Sequence, residues 1–351
     1  MDEYRKFLRF YDQEEYEKVV PVSDQQKKKP HPSYQKDYPE DGKLIDLIPP
    51  EELKIGYMPF LDALNRRKSR RRFTDEPLSL EELSFLLWCT QGVKRVLKSG
   101  SGVMRIVASA GAKSPLETYL VINRVVGLES GLYRYISFSH KLCFLKSIDE
   151  AEKRMGELAY NQMFVGKAPV IFYWVAVPYR TEWRYTILSP KFIAIDLGLV
   201  CQNLYMACEA IKLGTVAIGY YEQNKLDELF DLDGKEEFVV LLAPVGKYPE
   251  GVKLRDFFEH PKAEVKPEML SKYVGKYKRE NIYELVMKDN MLCIKVGDYF
   301  EPYDPHNETE FLGEFVFRAA RFILDSEGRP VKMIILTLED EIKEFSYIGS
   351  E

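Results

Sequence analysis

The sequence is poor in the residues that build disulfide frameworks, zinc sites and histidine-based catalytic centres. Its 351 residues include five cysteines and four histidines, and no two cysteines form a Cys-x-x-Cys pair. The Gly-x-Ser-x-Gly motif of many serine hydrolases is also absent. We therefore expect reduced, structural cysteines and no metal site.

Long apolar runs and a one-sided charge are lacking as well. The longest apolar run, residues 168–177, is about half of what a membrane-spanning helix needs, and the N-terminus has no apolar leader segment. The 50 Lys and Arg residues are balanced by 55 Asp and Glu residues, which gives a net charge of −5. We expect a cytoplasmic protein that binds neither membrane nor nucleic acid.

Composition changes along the chain predict three parts. Residues 1–50 are polar and rich in proline, which favours an extended N-terminal arm with one short helix near residues 3–18. Residues 51–260 alternate between helical and strand patterns, which indicates an α+β or α/β layer fold. Residues 266–351 carry short β-type segments separated by turns, typical of a small antiparallel barrel or sandwich.

Local signals place the main elements of the middle part. Ser79 with Glu82 and Ser147 with Glu150 are predicted capping boxes, the second opening a helix through about Met163. The predicted strands are Arg105–Ala108, Thr118–Val126, Gly131–Ile136, Leu142–Leu145, Pro169–Val177 and Phe238–Ala243. The longest predicted helix runs from about Pro190 to Leu213 and is closed by Gly214.

The densest charge lies at residues 66–72, where six basic side chains surround Ser69. In an extended segment Arg67, Ser69 and Arg71 project to one side, while Arg70 and Arg72 face away. Two guanidinium groups and a hydroxyl suit a terminal phosphate. A solvated basic loop or a nucleic-acid patch is the alternative.

A second segment, residues 108–117, combines small residues with Ser109 and Gly111 after a predicted strand. Small residues let the backbone approach a flat ligand closely, and Ser109 can bond the edge of that ligand. A tight turn without a ligand is the alternative.

Two further segments could contribute to the same ligand. The turn at Gly219 and Tyr220 follows a helix stop and could aim a backbone N–H at a ring nitrogen, although a plain connection would look the same. Lys253 and Arg255 are alternate residues that could add two charges to a phosphate, or form surface ion pairs.

Taken together and in this order, the segments resemble the nitroreductase family, in its SagB-type dehydrogenase branch. The similarity covers roughly Ile45 to Phe257. It is carried by Arg67-Lys68-Ser69-Arg70-Arg71, Ser109-Ala110-Gly111-Ala112, Gly127–Tyr135, Asp196-Leu197-Gly198 and Pro244-Val245-Gly246-Lys247.

The resemblance implies an α+β sandwich that binds FMN without a covalent bond at a homodimer interface. Arg67, Ser69 and Arg71 would hold the phosphate and ribityl groups, helped by Lys253 and Arg255. Ser109 and Gly111 would lie near the isoalloxazine ring, and the backbone of Gly219 or Tyr220 would address N5. Hydride would then pass through N5 between NADH or NADPH and a small-molecule or modified-peptide substrate.

One departure from the branch concerns proton transfer. Azoline oxidases of this branch carry a Lys-Tyr pair before the long helix, and the nearest counterpart here is Arg184-Tyr185. Arginine stays charged and is a poor general base. Tyr185 is therefore the candidate catalytic residue.

The tail from about Met269 resembles the small β domain found C-terminal to β-lactamase-like hydrolases. The resemblance is carried by Leu270–Tyr277 and by Phe322–Arg329, and it implies a lipocalin-like accessory barrel.

The predicted activity is that of an FMN-dependent oxidoreductase. A flavin-binding sensor or scaffold without ordinary turnover is the alternative, and a binder of anionic surfaces through residues 66–72 is a third reading. The substrate, the electron donor and the role of the barrel stay open.

Overall fold

The computed structural model describes residues 5, 8–9, 16–18, 20–40, 42–97, 102–249, 251, 254–313, 316–337 and 341–349, without the side chains of residues 254 and 255. The chain forms two compact units, Met1–Tyr248 and Pro249–Glu351. Each unit has hydrophobic clusters of its own.

An antiparallel sheet forms the centre of the N-terminal unit. Its strands are β1 (Leu44–Asp46), β4 (Leu116–Ile122), β5 (Gly131–Ile136), β6 (Lys141–Lys146), β7 (Val170–Ala176), β8 (Leu213–Thr215) and β9 (Phe238–Lys247), and a separate hairpin pairs β2 (Val93–Val96) with β3 (Val103–Arg105). The spatial order is β1-β6-β5-β4-β7-β9-β8. The strands β4 and β7 therefore lie in the middle of the sheet.

Helices cover both faces of this sheet. They are α1 (Phe60–Arg66), α2 (Leu80–Gln91), α3 (Ala151–Leu158), α4 (Met163–Gly166), α5 (Tyr179–Tyr185), α6 (Ser189–Ala210) and α7 (Gln223–Leu229), with short 3-10 turns at Pro50–Glu52, Ala110–Ala112 and Thr186–Leu188. Alternate residues of a strand point to opposite faces. Leu120 and Phe172 accordingly pack in the cluster that contains residues of α2 and α6, whereas Tyr119 and Tyr173 pack in the cluster with residues of α3, α4 and α7. Because both faces are covered, β7 reads as one uninterrupted apolar run, which confirms the predicted buried strand.

The two predicted capping boxes have different outcomes. At α2, the Ser79 hydroxyl accepts from the Glu82 N–H at 3.1 Å and the Glu82 carboxylate accepts from the Ser79 N–H at 2.7 Å. At α3 the prediction was wrong, because Glu150 has a left-handed backbone (φ 49°) and caps nothing with its side chain. Ile148 is held in the core, and the chain turns after it before the helix begins at Ala151.

The described part of the N-terminal arm is fastened to the unit by main-chain contacts. The Gln25 N–H donates to the Trp183 carbonyl at 2.8 Å, and the Arg134 guanidinium donates to the Asp37 carbonyl at 2.6 Å. Strand β1 pairs with β6 at the edge of the sheet. The helix predicted near residues 3–18 lies mostly outside the described residues. Within that range, residues 16–18 are described and are helical.

One helical stretch, Tyr179–Ala210, is long and apolar enough to cross a membrane by length and composition. A helix in the core of a soluble domain meets the same criterion. Here Thr186 interrupts the stretch with a positive φ of 48°, and α6 contributes Val200 and Leu204 to the core. We therefore describe α6 as a helix of the N-terminal unit.

The C-terminal unit is a closed antiparallel barrel, as predicted. After a short helix α8 (Leu254–Phe257) and a 3-10 segment (Pro267–Tyr273), its strands are β10 (Gly275–Lys278), β11 (Ile282–Lys288), β12 (Met291–Val296), β13 (Tyr299–Pro305), β14 (Glu310–Leu312), β15 (Phe317–Leu324), β16 (Pro330–Thr337) and β17 (Ile342–Gly349). They pair in chain order, and β17 closes onto β10. Closure leaves no free sheet edge.

Candidate flavin site

The basic segment begins where α1 ends. Arg67 leaves the helix with an extended ψ of 121°, and its guanidinium carbon lies 5.6 Å from the ring centroid of Tyr205. The Ser69 hydroxyl lies 3.1 Å from the Tyr205 hydroxyl. Arg67 and Ser69 therefore face the same tyrosine of α6, as their alternate spacing predicts, while Arg71 is exposed.

Arg70 points the other way and has a structural role. Its guanidinium pairs with the buried Glu209 at 3.1 Å and lies 3.6 Å from the ring centroid of Tyr248. Its N–H donates to the Thr215 carbonyl at 3.0 Å. A Cβ at Gly214 would lie 2.7 Å from the Arg70 side chain, so glycine is needed there. The segment is thus fixed from one side and presents Arg67 and Ser69 on the other.

Tyr205 connects this segment to the predicted turn after β8. Its hydroxyl accepts from the Ala217 N–H at 2.8 Å and can donate its own hydrogen to Ser69. The turn continues to Gly219, where a Cβ would meet no described atom within 4 Å. Tyr220 is 66% exposed and stacks on Tyr160 with centroids 4.0 Å apart. The structure therefore brings Arg67 and Ser69 into one connected group with an open, exposed glycine turn.

The Ser109 loop forms a second group, at the other end of α6. The Ser109 hydroxyl accepts from the Ser114 N–H at 2.8 Å, and the Ala110 N–H donates to the Asp196 carboxylate at 3.0 Å. Asp196 is 3% exposed. Burial raises the pKa of its carboxyl although hydrogen bonds from Ser109 and Ala110 lower it. The loop is anchored to α6 by a buried acidic group.

Gly111 lies against the candidate catalytic tyrosine. It has a φ of +56°, and a Cβ placed on it would lie 2.5 Å from the Tyr185 hydroxyl and 3.3 Å from the Arg184 side chain. Tyr185 also packs on Phe192, with centroids 4.5 Å apart. The predicted residues Ser109, Gly111 and Tyr185 thus come together, and both the backbone and the space require glycine at position 111.

Behind this group lies a buried lysine that the sequence reasoning missed. Lys113 is 1% exposed, donates to His31 Nε2 at 2.9 Å and lies 4.7 Å from the Trp183 ring centroid. Burial lowers the pKa of Lys113. Burial and the charge of Lys113 lower the pKa of His31. Protonation of the arm residue His31 is therefore disfavoured where it packs against Lys113 of the Ser109 loop.

The two groups contact opposite faces of α6. Asp196 and Tyr205 are nine residues apart, which is about two and a half turns and roughly 14 Å along the axis. Side chains half a turn out of phase point to opposite sides. Within one chain, the Arg67–Ser69–Gly219 group and the Ser109–Gly111–Tyr185 group are therefore separate.

The remaining predicted residues cannot be placed. Lys253 lies outside the described residues, and of Arg255 only the backbone in α8 is described. Among the described residues no three His, Cys, Asp or Glu side chains form a group that could hold a metal ion.

Two further residues organise the site, and neither was assigned a role in it from the sequence. The sequence does contain a clue to Asp196, because it is the one charged residue in the apolar stretch from Phe192 to Met206. The sequence contains no such clue to Tyr205, because its partner Ser69 is 136 positions away.

Comparisons with known proteins identify the family of this chain. The model of the "Nitroreductase family" matches residues 64–247. A nitroreductase-type protein of Methanocaldococcus jannaschii is 32% identical over 207 residues, which cover 59% of this chain and 98% of that protein.

Two solved structures are also similar to this chain. A nitroreductase-type crystal structure from Ralstonia eutropha JMP134 aligns with a TM-score of 0.50 and 29% identity, covering 61% of this chain and 93% of the other. The Escherichia coli microcin synthetase McbBCD complex with truncated pro-MccB17 bound aligns with a TM-score of 0.45 and 15% identity, covering 71% and 91%.

Proposed function

We propose, since this chain belongs to the nitroreductase family, that it is an FMN-dependent oxidoreductase of the SagB-type branch. The family consists of oxidoreductases that are generally flavin-dependent. The proposal adds the kind of flavin, the branch, the electron donor and the substrate class. Bound FMN supplies a carrier that exchanges hydride at N5 with NADH, NADPH or a small-molecule or modified-peptide substrate.

The observation that carries the proposal is the bridge made by Tyr205. It joins the side chains suited to a phosphate, Arg67 and Ser69, to the exposed turn at Gly219. An anion site connected to a backbone turn with open space beside it fits a long ligand with a phosphate at one end and a flat ring at the other. Arg67, Ser69 and Arg71 would hold the phosphate, and Gly219 or Tyr220 would offer a backbone N–H to N5. Lys253 and Arg255 remain part of this proposal as a further basic pair.

The second group supports a site shared between two copies of the chain. Ser109 and Gly111 sit on the far side of α6, so one chain cannot bring them to the ring beside its own Gly219. An exposed apolar stripe runs along α6, where Ile195 is 47% and Leu199 is 43% exposed, and α1 adds Phe60 at 70%. Such a stripe suits packing against a second helix of the same kind. We infer a cytoplasmic homodimer in which each flavin contacts both chains.

Tyr185 would act on the substrate side of the ring. Its hydroxyl lies next to Gly111, within the group expected to face the partner's flavin. Arg184 beside it is exposed and its guanidinium carbon lies 5.4 Å from the Tyr185 ring centroid. A phenol hydroxyl can both donate and accept a hydrogen bond, so Tyr185 would be placed to pass a proton to or from the substrate.

Flavin retention in an Arg67→Ala variant tests the proposal. Charge-assisted hydrogen bonds are worth about 1.5–3 kcal/mol each, so we expect FMN affinity to fall by about ten-fold or more. Arg154→Ala removes an exposed arginine of α3, on the other face of the sheet, and should leave retention unchanged. The measurement is the flavin-to-protein absorbance ratio and a fluorescence titration with FMN. A colourless wild-type protein with no saturable uptake of FMN would overturn the proposal.

Anaerobic mixing with NADH and with NADPH then separates an enzyme from the alternative. Rapid bleaching of the flavin supports turnover with a nicotinamide donor. A flavin that stays oxidised with both donors, and with azoline peptides that could themselves supply the electrons, would favour a flavin-binding sensor or scaffold. Quinones and nitroaromatics serve as acceptors that reoxidise a flavin already reduced.

A further inference from the structure

The barrel of the C-terminal unit has two different ends. At one end, Leu270 and Tyr273 of the 3-10 segment are fully buried in the barrel core. The Tyr273 ring stacks on Phe322 with centroids 4.3 Å apart, and its hydroxyl donates to the Glu308 carbonyl at 2.6 Å. This end is plugged by the chain itself.

The opposite end opens into a cavity of about 330 Å³. This mouth lies between the β10–β11 turn, the start of β15 and the adjoining ends of β16 and β17. Its floor is aromatic: the Tyr283 ring meets Phe317 and Phe345 edge-on, with centroids 5.0 and 5.2 Å apart. The side chain of Ile335 completes the apolar surface. A cavity of this size and lining is within the usual range for sites that enclose a small organic molecule.

Among the described residues, the rim of the mouth is polar and carries charges of both signs. It is lined by Arg279, Glu280 and Lys343, and Lys343 is paired with Glu341 at 3.7 Å. Arg279 is exposed, and its side chain forms no hydrogen bond or ion pair with the residues that the structure describes. The charge of Arg279 nevertheless acts on a neighbouring carboxylate. Together with Lys332, whose effect is larger, it lowers the pKa of Glu344. An arginine left without a carboxylate partner at the lip of an apolar cavity is suited to a carboxylate brought in by a ligand.

We propose that the barrel mouth binds a small amphipathic carboxylate, with its apolar body on the three rings and its carboxylate at Arg279. The enclosed volume fits a chain or ring of a few carbons rather than a folded partner. Addition of a peptide strand is disfavoured because the closed barrel offers no free edge. An ammonium ligand would meet the like charge of Arg279 at the rim. Nothing in this site depends on the flavin.

The test uses the full-length chain with FMN added to occupy the flavin site. The probe is the aromatic sulfonate 1-anilinonaphthalene-8-sulfonate, followed by fluorescence, and the competitors are octanoate, octanol and octylammonium. We expect saturable 1:1 binding of the probe, displaced by octanoate at about ten-fold lower concentration than by octanol or octylammonium. Equal displacement by all three competitors, or no saturable binding, would overturn the proposal.

Two variants and a control locate the site. Arg279→Gln should weaken octanoate by about ten-fold and leave octanol unchanged, because only the charged contact is lost. Arg329→Gln, in the β15–β16 turn at the plugged end, removes an exposed arginine and should change neither. Thr337→Trp fills the mouth from its rim and should abolish the saturable signal, with the far-ultraviolet circular dichroism spectrum unchanged. Retained binding in a folded Thr337→Trp protein, or an equal loss in Arg329→Gln, would contradict the proposal.

Discussion

A single hydroxyl group joins parts of the site that are far apart in the sequence. Tyr205 Oη serves Ser69 and the Ala217 N–H together. At the scale of residues, the organisation of the site therefore depends on hydrogen bonds that no local pattern predicts.

Removing this hydroxyl in Tyr205→Phe should both destabilise the N-terminal unit and loosen FMN. The Ala217 N–H loses its acceptor in a partly buried place, which costs about 1 kcal/mol. Urea unfolding and FMN titration measure the two effects. Tyr38→Phe is the matched control, since the Tyr38 hydroxyl has no hydrogen bond within the described ranges. An unchanged FMN affinity in Tyr205→Phe would show that the bridge does not position the site.

His31 should make stability depend on pH. Its neutral ring accepts from Lys113 at Nε2 and donates from Nδ1 to the Pro32 carbonyl. Its folded-state pKa is lowered from 6.5 by burial first and by the charge of Lys113 second. The native state therefore binds fewer protons than the unfolded chain once the pH falls below 6.5. Stability is full above pH 6.5 and declines as the pH drops from 6.5 toward the folded-state value.

The His31→Gln variant isolates this contribution. Urea unfolding between pH 7.5 and 5 should show a flatter decline than in the wild type, because glutamine does not titrate. His140, whose pKa burial also lowers, should leave a residual slope. Parallel curves for the two proteins would contradict the assignment to His31.

At the scale of elements, the sequence located most helices and strands but not all of their ends. The long helix was predicted through Leu213 and ends at Ala210, because residues 213–215 pair with β9. Gly214 was interpreted as a helix stop, and its function is to make room for Arg70. Tertiary pairing decided this boundary, and no local propensity reports it.

The barrel shows the same limit. Its architecture follows from turns and short β segments, but strands β10, β13, β14 and β17 were not predicted. Strands β13 and β14 carry the buried carboxylates Glu301 and Glu310, which break the apolar alternation. Glu310 is satisfied by the N–H groups of Glu259 and His260, about fifty residues earlier. These charged residues were interpreted as surface residues because their hydrogen-bond partners are distant in the sequence.

The candidate site was predictable only where residues close together in the sequence decide its geometry. Alternation alone placed Arg67 and Ser69 on one side and Arg70 on the other, since neighbouring side chains of an extended segment diverge. The contact of Gly111 with Tyr185 needed the fold.

The exposed stripe of α6 should govern assembly. Leu199→Arg places a charge in the middle of the proposed helix contact, so we expect a monomer that also retains less FMN. Glu157→Arg on α3 adds a cation to the other face of the sheet and should leave the dimer intact. Light scattering after size-exclusion chromatography measures the mass. A Leu199→Arg protein that remains dimeric would place the interface elsewhere.

At the scale of the whole molecule, two units with separate cores should melt separately. FMN should stabilise only the N-terminal unit, and octanoate only the barrel. Each ligand should raise the free energy of unfolding of its unit by about 2.7 kcal/mol when its concentration is a hundred times the dissociation constant. Calorimetry with each ligand measures the shifts, and Thr337→Trp should lose the octanoate response alone. A single transition moved by both ligands would contradict this division.

The opposed faces of α6 have a genetic consequence. If every catalytic centre takes Arg67 from one subunit and Gly111 from the other, an Arg67→Ala chain and a Gly111→Trp chain can rescue each other. Either chain alone carries a lesion in both centres of its dimer, yet a mixed pair contains one centre with neither lesion beside one with both. Random pairing of equal amounts should leave roughly a quarter of the centres intact, so co-expression of the two impaired alleles should raise turnover above that of either alone.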